Sequence, residues 1–206
     1  MSCRVLISYL TAVFLSTACL NASEDPSIRL KASINSALNI FYEPGAEEIS
    51  AEDKCRRIAA LLSESYDLSI LMRRAMGRNW KKLSASEQEE VLVLFEELIV
   101  KVTYDRLSNG TEKPLIKYKK TVYESDKRVR IASSLLYDGI HYSVEYRLGK
   151  LATGWQIYDI VTENISMVSN YRQQFDDHFR RSDGASLINK LKQMVSNQDE
   201  SIELTL

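Results

Sequence analysis

The feature that most constrains the fold is a change in hydrophobic spacing near Asn109-Gly110. From Ser27 to Leu107, apolar residues recur every three or four positions, which predicts amphipathic helices. From Leu115 to Val161 they alternate with polar residues, which predicts strands. A block of helices followed by a block of strands is typical of an α+β domain, because an α/β fold alternates the two along the chain.

Residues typical of helix ends indicate where the predicted helices begin and end. Ser84-Ala85-Ser86-Glu87 has the pattern of a capping box and predicts a helix that begins there. Gly77 is expected to end the helix before it with a positive φ, a conformation that glycine adopts at least cost. The predicted helices cover 28–41, 51–63, 67–76, a segment from residue 84, and, after the strands, 167–181 and 185–196.

Four strands are predicted, over 115–123, 128–136, 140–148 and 155–161. The short connections between them indicate an antiparallel meander. On the third strand Tyr142, Val144 and Tyr146 share one face, which must be covered by something apolar. Because the helices are the available cover, we predict a curved four-stranded antiparallel sheet wrapped by helices.

The N-terminal segment has the layout of an export signal. Arg4 precedes an uncharged stretch that ends before Glu24, and small residues surround a cleavage point after Ala22. We predict a signal peptide over 1–22, a single domain over 27–197 and a flexible tail over 198–206. An uncleaved membrane anchor and a lipoprotein modified at Cys19 remain alternatives. Cleavage would leave Cys55 as the last cysteine, so no intramolecular disulfide is expected.

Charge and motif content exclude several functions. The chain has 27 basic and 28 acidic side chains and therefore lacks the broad positive surface of a nucleic-acid-binding protein. Its two histidines, His141 and His178, fit no catalytic arrangement, and no spacing predicts a metal or phosphate site. Basic residues on the first hairpin are interpreted as a solvated face, with a docking patch for anionic lipid or an acidic partner as the alternative. They are Lys117, Lys119, Lys120, Lys127, Arg128 and Arg130.

Two blocks of residues resemble a known family. The first is Met76-Gly77-Arg78-Asn79-Trp80, and the second runs from Gly154 through Val161 to the segment Glu163–Val168 and then Asn170-Tyr171-Arg172. Together they resemble the MlaC or toluene-tolerance family of periplasmic phospholipid-binding proteins. Asn164 stands where that family usually has glycine, so we expect a positive φ there.

The resemblance implies a periplasmic lipid carrier without a chemical step. Such proteins hold acyl chains in an apolar cavity between sheet and helices, and need no cofactor besides the bound phospholipid. The implied partners are an inner-membrane ABC-type transporter with an MCE-domain subunit and an outer-membrane lipoprotein and porin complex. We expect a monomer.

The predicted ligand-binding side chains lie on the inward faces of the strands and on the fourth helix. The facing of the first and last strands stays ambiguous, because their pattern fits either register. Trp80, Trp155, Tyr171 and Arg172 are interpreted as structural. The predicted set is Leu98, Val102, Val129, Ile131, Tyr142, Val144, Tyr146, Ile157 and Ile165.

Two other classes of function stay open. Cone-shaped sheets of this kind also hold enzymes such as ketosteroid isomerase, in which a carboxylate acts beside an apolar site. Asp159, between Ile157 and Val161, is the one candidate for such a base. A ligand-free interaction module with a filled core is the third possibility.

Overall fold

The computed structural model describes residues 25–110 and 112–196. In this part of the chain it has the predicted α+β class, with helices and one antiparallel sheet. The predicted signal peptide, Cys19 and the predicted tail lie outside the described residues. The α-helices are α1 (Pro26–Tyr42), α2 (Ala51–Ser65), α3 (Leu68–Met76), α4 (Ala85–Ser108), α5 (Met167–His178) and α6 (Gly184–Ser196). Two 3-10 helices cover Ala46–Glu48 and Gly77–Lys82.

The capping box predicted at Ser84 is confirmed. The Glu87 amide donates to Ser84 Oγ at 3.3 Å, and the Ser84 amide donates to the Glu87 carboxylate at 2.7 Å. These two bonds satisfy backbone donors that the first turn of α4 leaves unpaired. Gly77, directly after α3, has the expected positive φ of 53°.

The sheet has six strands, so the prediction of four is wrong. The strands are β1 (Leu115–Tyr118), β2 (Val122–Ser125), β3 (Arg128–Tyr137), β4 (Ile140–Leu151), β5 (Gly154–Thr162) and β6 (Ile165–Ser166). They are paired in the order β1-β3-β4-β5-β6, and β2 also pairs with β3. All of these pairs are antiparallel.

A bulge divides the first predicted strand into β1 and β2. Tyr118 pairs with Ser133, whereas Val122 pairs with Arg130, so residues 119–121 face only residues 131–132. The extra residue interrupts the pairing, as β-bulges do. The other unpredicted strand, β6, has two residues, which is too short to show an alternating pattern.

Another bulge changes the facing of β5. Arg147 pairs with Asp159, but Leu148 pairs with Ile157, so Tyr158 is the extra residue. Ile157 and Ile160 therefore share the inner face of the sheet, although they lie an odd number of residues apart.

Positive φ angles close the two tightest hairpins. Asp138 and Gly139 connect β3 to β4 with φ of 48° and 76°. Glu163 and Asn164 connect β5 to β6 with φ of 50° and 65°. Two consecutive positive φ angles match the twist of the flanking strands. The positive φ expected at Asn164 is thus confirmed.

Two apolar clusters hold the elements together. The helical cluster lies among α3, α4, α5 and α6, and its fully buried members include Met76, Val91 and Leu187. The sheet cluster lies between the inner face of the sheet and α1, where Leu30 packs against Val129, Ile131 and Leu148. Each such side chain contributes about 1.5–3 kcal/mol on burial.

Candidate ligand-binding site

An apolar pocket, named here the inner pocket, lies where the helical cluster meets β5. Its volume is about 120 Å³. The Tyr171 hydroxyl is the one side-chain oxygen or nitrogen that its lining residues carry. The lining residues are Leu71, Met72, Ala75, Phe95, Leu98, Ile99, Ile160, Met167, Val168, Tyr171, Phe175 and Leu191.

Helical spacing brings these side chains together. Phe95, Leu98 and Ile99 are three and four positions apart on α4 and share one face of that helix. Ala75 on α3 is buried with 6% of its surface exposed, and its single methyl group leaves space that a larger side chain would fill. A pocket with an almost entirely apolar lining favours apolar groups over water.

A larger pocket, named here the outer pocket, adjoins the inner one. Its volume is about 650 Å³, and Met167 and Tyr171 line both pockets. Its wall combines apolar residues with phenol and amide groups and one cation. The lining residues are Val102, Arg106, Leu107, Pro114, Leu135, Tyr137, Tyr142, Val144, Thr162, Met167, Asn170, Tyr171 and Gln174. The two pockets therefore form an apolar interior with a polar rim.

Asp159 fixes the start of α5. This helix carries Met167 and Tyr171, which line both pockets. The buried carboxylate of Asp159 accepts from Ser166 Oγ at 2.8 Å and from the Val168 amide at 3.2 Å. The Arg147 guanidinium lies 3.3 Å away on the neighbouring strand. Asp159 lines neither pocket, and these donors account for its burial. The structure thus gives this carboxylate a structural position and not that of a base beside an apolar ligand.

The phenols at the rim are neutral at ordinary pH. Burial raises the pKa of Tyr171 to about 12, although the positive charge of Arg106 acts in the opposite direction. Burial and then the nearby Asp138 raise the pKa of Tyr137, and Arg106 again acts to lower it. Both hydroxyls remain hydrogen-bond donors across the physiological range.

The predicted ligand-binding residues fall into three groups. Leu98 lines the inner pocket, and Val102, Tyr142 and Val144 line the outer pocket. Ile165 lies on β6 with 60% of its surface exposed and lines neither. The remaining residues belong to the sheet cluster or pack against it and line neither pocket; they are Val129, Ile131, Tyr146 and Ile157. A role in binding stays a prediction for all nine.

Sequence reasoning missed most of the pocket lining. Phe95 belongs to an α4 stripe that predicts core packing, and a pocket wall has the same pattern. The sequence pattern favours a structural role for Tyr171, yet this residue lines both pockets. Ile160 was missed because the bulge at Tyr158 reverses the facing of the second half of β5. Arg106 carries no sequence signal that distinguishes it from any exposed arginine at the end of a helix.

The basic hairpin is partly neutralised. Arg130 pairs with Glu124 at 2.6 Å and with Glu145 at 3.3 Å. These pairs agree with a solvated, charge-balanced face at Arg130. Lys127 and Arg128 instead line a separate cleft of about 310 Å³, together with Arg74 and Lys150 among others.

Residues 25–110 and 112–196 offer neither a metal site nor a membrane-spanning helix. No group of three or more His, Cys, Asp or Glu side chains in these ranges could hold a metal ion. None of the helices in the same ranges has both the length and the apolarity to cross a bilayer.

The fold and the pockets define an α+β protein with an antiparallel sheet, a helical cover and an apolar pocket between them. The chain belongs to the MlaC family, because the family model described as MlaC protein matches residues 31–193. This confirms the family expected from the motifs around Trp80 and Trp155.

A solved structure supports the same fold. The chain is similar to a phospholipid-binding protein from Ralstonia solanacearum, whose structure is a complex with a phospholipid. The TM-score is 0.72 at 21% sequence identity, over 84% of this chain and 97% of that one. At this identity the similarity establishes the fold alone. No curated protein matches the chain.

Proposed function

We propose that this protein binds a phospholipid and carries it between membranes without a chemical step. The observation that carries the proposal is that the two pockets are adjacent and share Met167 and Tyr171 in their walls, because an apolar interior beside a more polar opening matches a molecule with acyl chains and a polar head. Membership of the MlaC family and the phospholipid complex of the Ralstonia solanacearum protein support the choice of ligand.

The pocket volumes suit acyl chains. A dry cavity of about 150 Å³ in another protein admits benzene, so the inner pocket takes a short apolar segment. At about 30 Å³ for a group the size of water or a methylene, the inner pocket holds about four methylenes and the outer pocket about twenty. The end of one chain therefore lies in the inner pocket, and the remaining acyl groups lie in the outer one.

A lipid carrier must offset the large free-energy cost of exposing acyl chains to water during transfer. Exposing about 30 methylenes of a two-chain lipid to water costs on the order of 25 kcal/mol, at about 0.8 kcal/mol each. Burial in the two pockets removes most of that cost. Because the chains begin and end in membranes, the net free energy of transfer stays close to zero and no bond has to form or break.

The compartment and partners of the proposal follow from the family. We place the protein in the periplasm, where an outer-membrane lipoprotein and porin complex and an inner-membrane ABC-type transporter with an MCE-domain subunit exchange lipid with it. An enzymatic alternative is not proposed, because Asp159 is occupied by Ser166, Val168 and Arg147 outside both pockets.

Lipid extraction tests binding. The protein is purified after native export, without detergent, and is extracted with organic solvent for mass spectrometry. We expect about one phospholipid per folded protein. Folded protein that yields no lipid, and takes up none from phosphatidylglycerol vesicles, would contradict the proposal.

A transfer assay tests carriage. Donor vesicles with a fluorescent phospholipid and acceptor vesicles are held on opposite sides of a membrane that passes protein and retains vesicles. We expect the protein to accelerate transfer in proportion to its concentration. Binding without acceleration would restrict the function to lipid storage.

A further inference from the structure

Arg106 is the one charged residue that lines the outer pocket. It lies in the last turn of α4, and its side chain is exposed. Within residues 25–110 and 112–196 its guanidinium forms no ion pair. The adjacent carboxylate, Asp105, is paired with Lys101 at 2.8 Å. The rim of the pocket therefore presents a positive charge that forms no ion pair within the described ranges, although the Asp138 carboxylate also acts on the Tyr137 phenol beside it.

Hydrogen bonds fix the backbone from which this cation extends. The Tyr137 hydroxyl donates to the backbone carbonyl of Arg106. The Tyr42 hydroxyl donates to the carbonyl of Leu107 at 2.9 Å. Carbonyls at the end of a helix lack partners within it, so these two phenols hold the last turn of α4 against β3 and α1. The backbone of Arg106 is thus anchored beside the rim, and its exposed side chain extends from there.

Other hydrogen-bond donors lie around the same rim. Asn170 and Gln174 are four residues apart on α5, share one face of that helix and line the outer pocket with Tyr171. The neutral phenol of Tyr171 is near enough to Arg106 for the cation to act on its pKa. The Arg106 guanidinium, the two amides and the Tyr171 phenol give this opening several donor groups and a net positive charge beside an apolar interior.

We propose that Arg106 binds the phosphate of the lipid whose acyl chain lies in the inner pocket. The inference rests on the proposed function and extends it to head-group selection. The phosphodiester is the anion that diacyl phospholipids share, and a guanidinium can donate two parallel hydrogen bonds to it. Arg106 thereby makes the protein selective for phospholipids over diacylglycerol, which has the same chains without the phosphate.

Matched ligands and variants test this selectivity. Wild type, Arg106→Gln and Arg106→Lys are titrated with dioctanoyl phosphatidylglycerol and with dioctanoylglycerol, and tryptophan fluorescence is followed. Arg181→Gln is the control, because Arg181 is exposed and lines neither pocket. Each variant is first shown to be folded by circular dichroism and thermal melting.

We expect Arg106→Gln to weaken phosphatidylglycerol binding about tenfold and to change dioctanoylglycerol binding less than twofold. Arg106→Lys should retain part of the preference, and Arg181→Gln all of it. Raising the salt concentration should reduce the preference of the wild type, because the site is exposed. Inorganic phosphate at the concentration of the lipid should not compete, because it has no acyl chain.

The outcomes separate the two proposals. If the wild type binds both lipids and Arg106→Gln weakens both equally or neither, the role of Arg106 is wrong and lipid binding stands. Competition by equimolar inorganic phosphate would replace the lipid phosphate with a free anion as the ligand of Arg106. If folded wild type binds neither lipid, the proposed function fails, and the role of Arg106 fails with it.

Discussion

Replacing Ala75 with phenylalanine should close the inner pocket. The methyl group of Ala75 lines that pocket from α3, and the residue is 94% buried, with 6% of its surface exposed. A phenyl ring is the size of benzene, which a cavity of about 150 Å³ can hold, so the new ring occupies nearly all of the 120 Å³ present. The ring takes the place of the acyl segment.

The magnitude follows from the displaced volume. About four methylenes leave the inner pocket, and at about 0.8 kcal/mol each their binding contribution of about 3 kcal/mol is lost. This corresponds to about a 100-fold increase in Kd. The free energy of unfolding should change little, because burial of the ring offsets the strain of a fuller core, which is about 1–3 kcal/mol.

The assay measures uptake of dipalmitoyl phosphatidylglycerol from vesicles over a range of lipid concentrations, because its chains of about 30 methylenes and methyls exceed the capacity of the outer pocket alone. Chemical denaturation is carried out on the same samples. Ala60→Phe is the matched control, because Ala60 is an exposed helical alanine on α2 outside both pockets. A folded Ala75→Phe protein with the affinity of the wild type would refute the placement of the chain. An equal loss in Ala60→Phe would show that the effect does not depend on the pocket.

Four further predictions concern stability and are measured by chemical denaturation. Asn164→Val should lower the free energy of unfolding by about 1–2 kcal/mol, and Asn164→Gly should not, because φ is 65° at this position. Ser84→Ala should cost about 1 kcal/mol through loss of the capping box of α4, and an unchanged stability would contradict that role. Asp159→Asn should cost about 1–3 kcal/mol, because its carboxylate accepts two hydrogen bonds at the start of α5; no loss would show that those bonds are not needed. Burial raises the pKa of Tyr118 and of Tyr171 from 10.0 to about 12, so the stability that their neutral phenols contribute is complete below pH 10 and is lost as the pH rises towards 12. Tyr171→Phe should make that alkaline loss smaller, and an identical pH profile would exclude the contribution of Tyr171.

Local signals made much of the fold predictable. The capping box at Ser84, the stop at Gly77 and the positive φ at Asn164 depend on residues a few positions apart, and all three are confirmed. The bulges at residues 119–121 and at Tyr158 were not predicted, because a bulge depends on the pairing with a neighbouring strand. The alternation of apolar and polar residues within one strand does not show where that strand has an extra residue relative to its partner.

The site was harder to predict than the fold. The sheet face that includes Val129 and Ile131 fills a compact cluster, whereas the inner pocket lies against α3, α4 and α5. A packed stripe and a pocket wall have the same helical spacing. Whether a gap remains depends on side-chain volumes from several helices at once, such as the small Ala75 of α3 and the large Phe95 of α4, which line the same pocket. The size of the remaining gap is therefore set only when the helices are packed together.

The central claim is that an acyl chain lies in the inner pocket, and photolabelling tests it most directly. A phospholipid with a diazirine at the end of one chain is loaded from vesicles, irradiated and mapped by mass spectrometry of peptides. We predict adducts on the peptides that contain Phe95 to Ile99 of α4 and Met167 to Phe175 of α5. Adducts confined to Val129, Ile131 and Tyr146 in the sheet cluster, or no adduct on folded protein, would contradict the account.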